Sequence, residues 1–145
     1  MTQLVTMMLG DTEIGIDVGT VEDVVRLGRV TRVPLAAPWI AGVMNLRGHV
    51  VTAIDLRTRL GMPPAPQGVR PKCVVVSIGG DSFGLIVDAV DEVINVDAAD
   101  CRRCPATLDE RWRQVSSCIV QREGGLLVEL DIGKIITPDR FFMAA

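Results

Sequence analysis

The sequence predicts a mainly β protein with few short helices, and three observations carry that prediction. Hydrophobic residues make up 48% of the chain but aromatics only 3%, so Val, Ile and Leu must fill the interior. A β-branched, aliphatic interior favours sheets. Short apolar runs recur along the chain with turn residues between them, a spacing that suits a sandwich or barrel better than a βαβ fold. The two halves of the chain also echo one another. The length of 145 residues suffices for one domain, or for two small lobes sharing a core.

Residues 4–9 form a nearly continuous apolar segment that ends at Gly10-Asp11, and residues 14–18 follow with Ile14, Ile16 and Val18 alternating as in a half-buried strand. Residues 10–13 read as the hairpin turn between them. Further strands are expected over residues 24–27, 43–46, 50–54, 73–78, 83–87, 93–96, 117–120 and 126–130. Gly79-Gly80-Asp81 and Gly124-Gly125 read as hairpin turns. Val21, Val24 and Val25, like Val90, Val93 and Ile94, recur at helical spacing, but Val and Ile are indifferent helix formers and both segments read as mainly strand. One helical turn is expected over residues 38–41, where Pro38 suits a first turn. A second is expected over residues 55–60, stopped by Gly61. Thr107 and Glu110 have capping-box spacing ahead of a short helix at residues 111–115.

Residues 62–71 read MPPAPQGVRP, and four prolines in ten residues make this an extended connector that no central strand can include. On either side the halves match. Gly15-Ile16-Asp17-Val18 and Val21-Glu22-Asp23-Val24-Val25 recur 69 residues later as Gly84-Leu85-Ile86-Val87 and Val90-Asp91-Glu92-Val93-Ile94, and Ile54-Asp55-Leu56 is echoed by Leu130-Asp131-Ile132. A duplication accounts for matched landmarks in the same order better than chance does. It implies two small barrels of like topology packed through an apolar interface.

The search for chemistry returns no catalytic set. A net charge of −3 and a pI near 5.1 argue against a nucleic-acid binder. No apolar run approaches the ~20 residues that span a membrane, and no signal peptide is apparent at the N-terminus, which points to the cytoplasm and to reduced cysteines. Cys101 and Cys104 form a C-x-x-C pair flanking Arg102 and Arg103. A redox or metal-responsive reading of that pair is the alternative to ordinary loop cysteines, which is preferred because no βαβ context or full ligand set accompanies it. His49, the only histidine, sits beside Gly48 with no triad partners. No phosphate-cradling glycine loop exists. Arg26, Arg29, Arg32, Arg57 and Arg59 read as solvated faces or protein contacts. No cofactor and no metal site are expected.

One stretch is more specific. Val33-Pro34 precedes Ala37-Pro38-Trp39-Ile40-Ala41-Gly42-Val43-Met44-Asn45-Leu46-Arg47-Gly48, an apolar strand follows, and Asp55-Leu56-Arg57 closes it. In order, these pieces resemble the signature of the CheW family, the coupling proteins of bacterial chemotaxis arrays. Leu9-Gly10-Asp11 with Gly15-Ile16-Asp17, Gly84-Leu85-Ile86-Val87-Asp88 with Val93, and Leu130-Asp131-Ile132 extend the resemblance over nearly the whole chain. In physical terms, Gly42 and Gly48 bracket a strand, Val43 and Leu46 are expected to anchor it, Asn45 holds a turn with its side chain, and Arg47 either pins the loop or presents a planar cation to a partner.

The resemblance implies a single domain over residues 1–145, built of two SH3-like five-stranded β-barrels around a shared hydrophobic core. The first barrel is expected over residues 10–65, the second over residues 70–135 with the N-terminal strand 3–9, and a closing segment over residues 132–145. It implies a non-enzymatic cytoplasmic scaffold, associated with membrane-bound receptor arrays, that binds a methyl-accepting chemoreceptor's cytoplasmic tip and the regulatory domain of a CheA-type histidine kinase. The matching receptor-binding positions are Val18, Val21, Asp23, Arg47 and Val50, with Asp23 and Arg47 expected to pair. Val25 and Leu27 are the kinase-binding candidates. The chain departs from the family pattern at Glu13 and Ile14, at Cys104-Pro105-Ala106 and near Ser117-Cys118, so the second barrel is the more divergent. An adaptor in a chemotaxis-like pathway with another output remains the second reading. Because no receiver or kinase module follows within the sequence, a stand-alone adaptor is expected.

Overall fold

A computed structural model describes residues 2–136. The strands are β1 (Thr2–Leu9), β2 (Thr12–Asp17), β3 (Val21–Arg26), β4 (Ile40–Leu46), β5 (His49–Asp55), β6 (Lys72–Ile78), β7 (Asp81–Val87), β8 (Ala89–Val96), β9 (Cys101–Arg102), β10 (Ser116–Arg122) and β11 (Gly125–Leu130). The helices are α1 (Leu56–Arg59), α2 (Glu110–Val115) and α3 (Ile132–Ile135). The strands form a six-stranded sheet in the order β8-β1-β2-β11-β10-β9 and a five-stranded sheet in the order β3-β6-β7-β5-β4. Pairing is antiparallel except at β2–β11 and β5–β7.

Side chains alternate across a strand, and here the two faces serve two different cores. On β6, Cys73 and Val75 join Met44 and Val51 in a small cluster, while Val74 and Val76 enter a much larger one. On β11, Leu127 packs with Leu4, Val96, Cys118 and Val120, while Val128 and Leu130 enter the large cluster. Each small cluster is the inside of one barrel, and the large cluster is the layer between the barrels. This double burial explains why residues 73–76 are apolar without alternation. The five-stranded sheet curls until its end strands meet. Val25 on β3 packs on the same cluster as Met44 on β4, and Arg47 beyond β4 reaches Asp23 on β3.

The internal repeat is structural. A Cβ on Gly15 would stand 3.2 Å from side chains of Leu4 and Leu127 inside one barrel, and a Cβ on Gly84 would stand 2.4 Å from Cys73 Sγ inside the other. Asp55 accepts from the Thr58 amide at 3.2 Å to cap α1, and Asp131 accepts from the Lys134 amide at 3.3 Å to cap α3. The halves exchange hairpins, however. β1–β2 joins the strands from β8 onward, while β6–β7 joins β3, β4 and β5. The expected partition into residues 10–65 and residues 70–135 with strand 3–9 therefore gives way to residues 21–59 with 72–87 in one barrel, and residues 2–17 with 89–130 in the other, strand 3–9 lying where it was expected. A proline-rich connector shows where a strand cannot run, but hydrogen-bonding partners are chosen non-locally. The part of the expected closing segment beyond residue 136 lies outside the described residues.

All ten expected strands form, most of them longer at their ends than the apolar runs suggested. Val18 instead opens a short 3₁₀ turn, Val18–Thr20, capped by Asp17. The two-residue strand β9 carried no apolar run to announce it. Residues 38–41 are a turn into β4 and not a helix, with the Ile40 amide donating to the Ala37 carbonyl at 2.9 Å. Helix α2 is capped by Asp109 and not by Thr107, its carboxylate accepting from the Arg111 amide at 2.9 Å. A carboxylate nearer the first turn outcompetes the hydroxyl.

Asp55-Leu56-Arg57 has a definite task. Leu56 is fully buried, and Arg57 grips Asp88 through two nitrogens, Nε to Oδ1 at 3.1 Å and Nη2 to Oδ2 at 2.5 Å. Arg57 Nη1 also donates to the Pro63 carbonyl at 2.9 Å, and Asp88 accepts from the Gly10 amide at 2.7 Å. One ion pair thus fastens α1, the β7–β8 junction, the β1–β2 turn and the connector to one another. The hydrogen bond from Arg57 holds the Asp88 carboxyl below its ordinary value, aided by the Gly10 amide and opposed by burial.

Candidate binding surface

The β4–β5 hairpin closes Leu46 against His49 through the two-residue turn Arg47-Gly48. Both turn residues have positive φ, 51° at Arg47 and 84° at Gly48, as a hairpin turn that follows the strand twist requires. Asn45 Oδ1 accepts from the Gly48 amide at 2.9 Å and fixes the turn. Upstream, Gly42 has φ 147°, and a Cβ there would lie 2.1 Å from the Thr31 carbonyl oxygen. Thr31 and Val43 exchange two backbone hydrogen bonds of 2.8 Å at that approach. The strand is anchored by Met44, 6% exposed, with Leu46 half-buried; Val43 faces the other way. The expectation for Val43 fails because successive strand residues face opposite ways and pairing runs unbroken from Gly42 to Leu46, so Val43 cannot share the face of Met44 and Leu46.

The structure brings Asp23 and Arg47 together and separates the other receptor candidates. Arg47 Nη1 donates to Asp23 Oδ2 at 2.6 Å, with the arginine side chain 74% exposed. The pair borders a shallow depression of about 140 Å³ lined also by Glu22, His49 and Ser82. Val50, 70% exposed, lies instead against a neighbouring depression with Arg29, Thr31 and Asn45. Val18 and Val21 are half-buried against the layer between the barrels. The kinase candidates Val25 and Leu27 pack onto the inside of the five-stranded barrel, leaving Val24 as the exposed apolar side chain of β3. Sequence reasoning missed Val24 and Ser82: β3 reads Val-Glu-Asp-Val-Val-Arg without polar–apolar alternation, so only its burial in the structure separates Val24 from Val25.

The cysteines do not follow the C-x-x-C reading. Cys101 is bonded to Cys118, with Cα atoms 5.5 Å apart, while Cys104 and Cys73 are free. The expectation that all four are reduced is corrected on the same ground: β9 lies on β10 with Cys101 opposite Val120, which brings Cys118 beside it. Glu129 Oε2 is 3.0 Å from Cys118 Sγ. These three are the one group among the described residues with donor atoms close enough to surround a metal, all within 4.8 Å. Burial pushes the Cys73 thiol up to about 11, which leaves it unreactive. Among the described residues, no helix is long and apolar enough to cross a membrane.

Two barrels sharing one apolar layer, with a cationic hairpin exposed at the edge of one of them, define the architecture of an interaction module. The CheW-like domain family matches residues 3–139. The chain is 31% identical to the chemotaxis protein CheW of Rhizobium meliloti over 131 residues, covering 89% of this chain and 84% of that one. It is 29% identical to CheW of Bacillus subtilis over 134 residues, covering 92% and 86%. The crystal structure of the scaffolding protein CheW from Thermoanaerobacter tengcongensis superposes with a TM-score of 0.84 at 27% identity, covering 98% of this chain and 92% of that one. The chain belongs to the CheW-like family, and it is a chemotaxis scaffold and not an enzyme.

Proposed function

We propose that this chain couples the cytoplasmic tip of a methyl-accepting chemoreceptor to the regulatory domain of a CheA-type histidine kinase, working in the cytoplasm at membrane-bound receptor arrays. The observation that carries the reading is Arg47. An L-residue other than glycine or asparagine at positive φ costs about 1 kcal/mol, and an ion pair as exposed as Arg47–Asp23 returns less than that. Stability therefore does not account for an arginine at the tip of this hairpin, whereas a permanently charged, planar donor offered to a helical partner does. Asp23 holds the guanidinium in place, and Val50 supplies apolar area on the other side of the same hairpin. Val18 and Val21, at the junction of the barrels, extend the receptor surface. The kinase contact belongs to β3 and its continuation, where Val25 and Leu27 support the exposed Val24.

The test is ternary assembly. Arg47→Glu is expected to reduce co-sedimentation with receptor tip and kinase at least tenfold while the circular dichroism and the urea midpoint stay near those of the parent. Undiminished co-sedimentation of all three components refutes the role given to Arg47.

A further inference from the structure

We infer that Cys101 and Cys118 form a reversible disulfide clasp, exchanged with low-molecular-weight thiols, that fastens β9 to the edge of the six-stranded barrel. The coupling role does not use this site, and the argument is independent of it. β9 is two residues long and pairs with β10 alone, through Arg102 opposite Ile119 and Cys101 opposite Val120. So short a strand holds poorly by its own hydrogen bonds. The covalent bond joins residues 17 apart in sequence and restricts the intervening segment, which includes helix α2.

The two sulfurs differ in access. Cys118 is 6% exposed and packs inside the barrel, while Cys101 is half-buried at its rim. An external thiolate therefore attacks Cys101 Sγ. Arg102 and Arg103 follow directly in sequence and favour the approach of an anionic thiol. The Cys101–Cys118 bond breaks, Cys118 leaves as a thiolate and takes up a proton, and a mixed disulfide forms at Cys101. A second thiol then resolves that mixed disulfide. In total two thiols are oxidised to one disulfide and the protein disulfide is reduced to a dithiol. In the dithiol, the Cys118 S–H has an acceptor in place, since Glu129 Oε2 lies 3.0 Å from Cys118 Sγ. Reduction releases β9 and leaves β10 as the barrel's edge, a strand with unpaired backbone groups.

The experiment combines thiol counting with hydrogen exchange on the full chain. Under non-reducing denaturation, two thiols per chain are expected to react, Cys73 and Cys104, and four after reduction. In glutathione buffers of increasing reduced fraction, amide exchange in peptides spanning residues 98–103 and 117–121 is expected to rise at least tenfold along one two-electron transition. Cys118→Ser, or Cys101→Ala at the less buried position, is expected to exchange fast in every buffer. Cys104→Ser is expected to keep the redox response. Four reactive thiols in the protein from an oxidising buffer, or exchange rates independent of redox state, overturn the proposal. So does stoichiometric zinc whose removal frees two further thiols, because the three donors are then a metal site.

Discussion

Replacing Arg57 with methionine keeps the length and apolar stem of the side chain and removes its charge and donors. Asp88, with its side chain 16% exposed, then retains the Gly10 amide at 2.7 Å but loses both guanidinium contacts. The Pro63 carbonyl loses its donor as well. Removing one partner of a fully buried pair costs about 3–5 kcal/mol. Here the side chains are 11% and 16% exposed, so water reaches the orphaned carboxylate, and a cost of about 2–3 kcal/mol is expected. For a chain of this size that corresponds to a Tm lower by about 4–12 °C. Urea unfolding followed by tryptophan fluorescence, with an unchanged m value, measures it. The pH dependence supplies a second reading. The folded-state pKa of Asp88 is depressed, so its contribution is present above its unfolded value and is lost as pH falls through the folded one. The parent must therefore lose stability more steeply in acid than the Arg57→Met variant. A loss below about 0.5 kcal/mol, with parallel acid limbs, refutes the idea that this pair fastens the barrels together.

Gly84→Ala is expected to destabilise the fold by about 1–3 kcal/mol, because the new Cβ meets Cys73 Sγ at 2.4 Å inside the barrel. Adding Cys73→Ala removes that sulfur and is expected to recover part of the loss, a non-additivity that a double-mutant cycle of urea midpoints reads directly. Glu129→Gln tests the opposite pH sign. Desolvation first, then Asp17 and Asp131, raise the Glu129 carboxyl above its ordinary value. Its contribution is thus full below the unfolded pKa and lost as pH rises through the folded one. The glutamine variant should exceed the parent in stability at pH 7 and converge with it in acid; equal midpoints at pH 7 contradict this.

The candidate surface was legible in parts. The Asn45 turn bond was expected and appears, because a short hairpin's geometry is set by residues within a few positions of each other. The Asp23–Arg47 pair, expected from the family resemblance, also forms, but it joins residues 24 apart and depends on β3 meeting the β4–β5 turn. Placing Val18, Val21 and Val50 on one surface with that pair was not decided locally, and the structure puts them at the barrel junction and on the far side of the hairpin. Val25 and Leu27 were chosen by position along the strand, whereas their orientation depends on a register shift between Val21 and Asp23.

Taken alone, the sequence determined the ten longer strands, the hairpin turns after Gly10 and after Gly79, the helical turn that follows Asp55, and the repeat that relates Gly15 to Gly84. Each of these depends on side-chain period or on dihedral preferences within about five residues, which neighbouring residues alone can specify. Only the tertiary structure decided that the halves exchange hairpins, that Cys101 meets Cys118 and not Cys104, and that Arg57 of one motif closes on Asp88 of the other. Those contacts join residues far apart in sequence, brought together by sheet pairing within each barrel and by the packing of the two barrels on one another. Their energies depend on burial and register that no local stretch of this chain encodes.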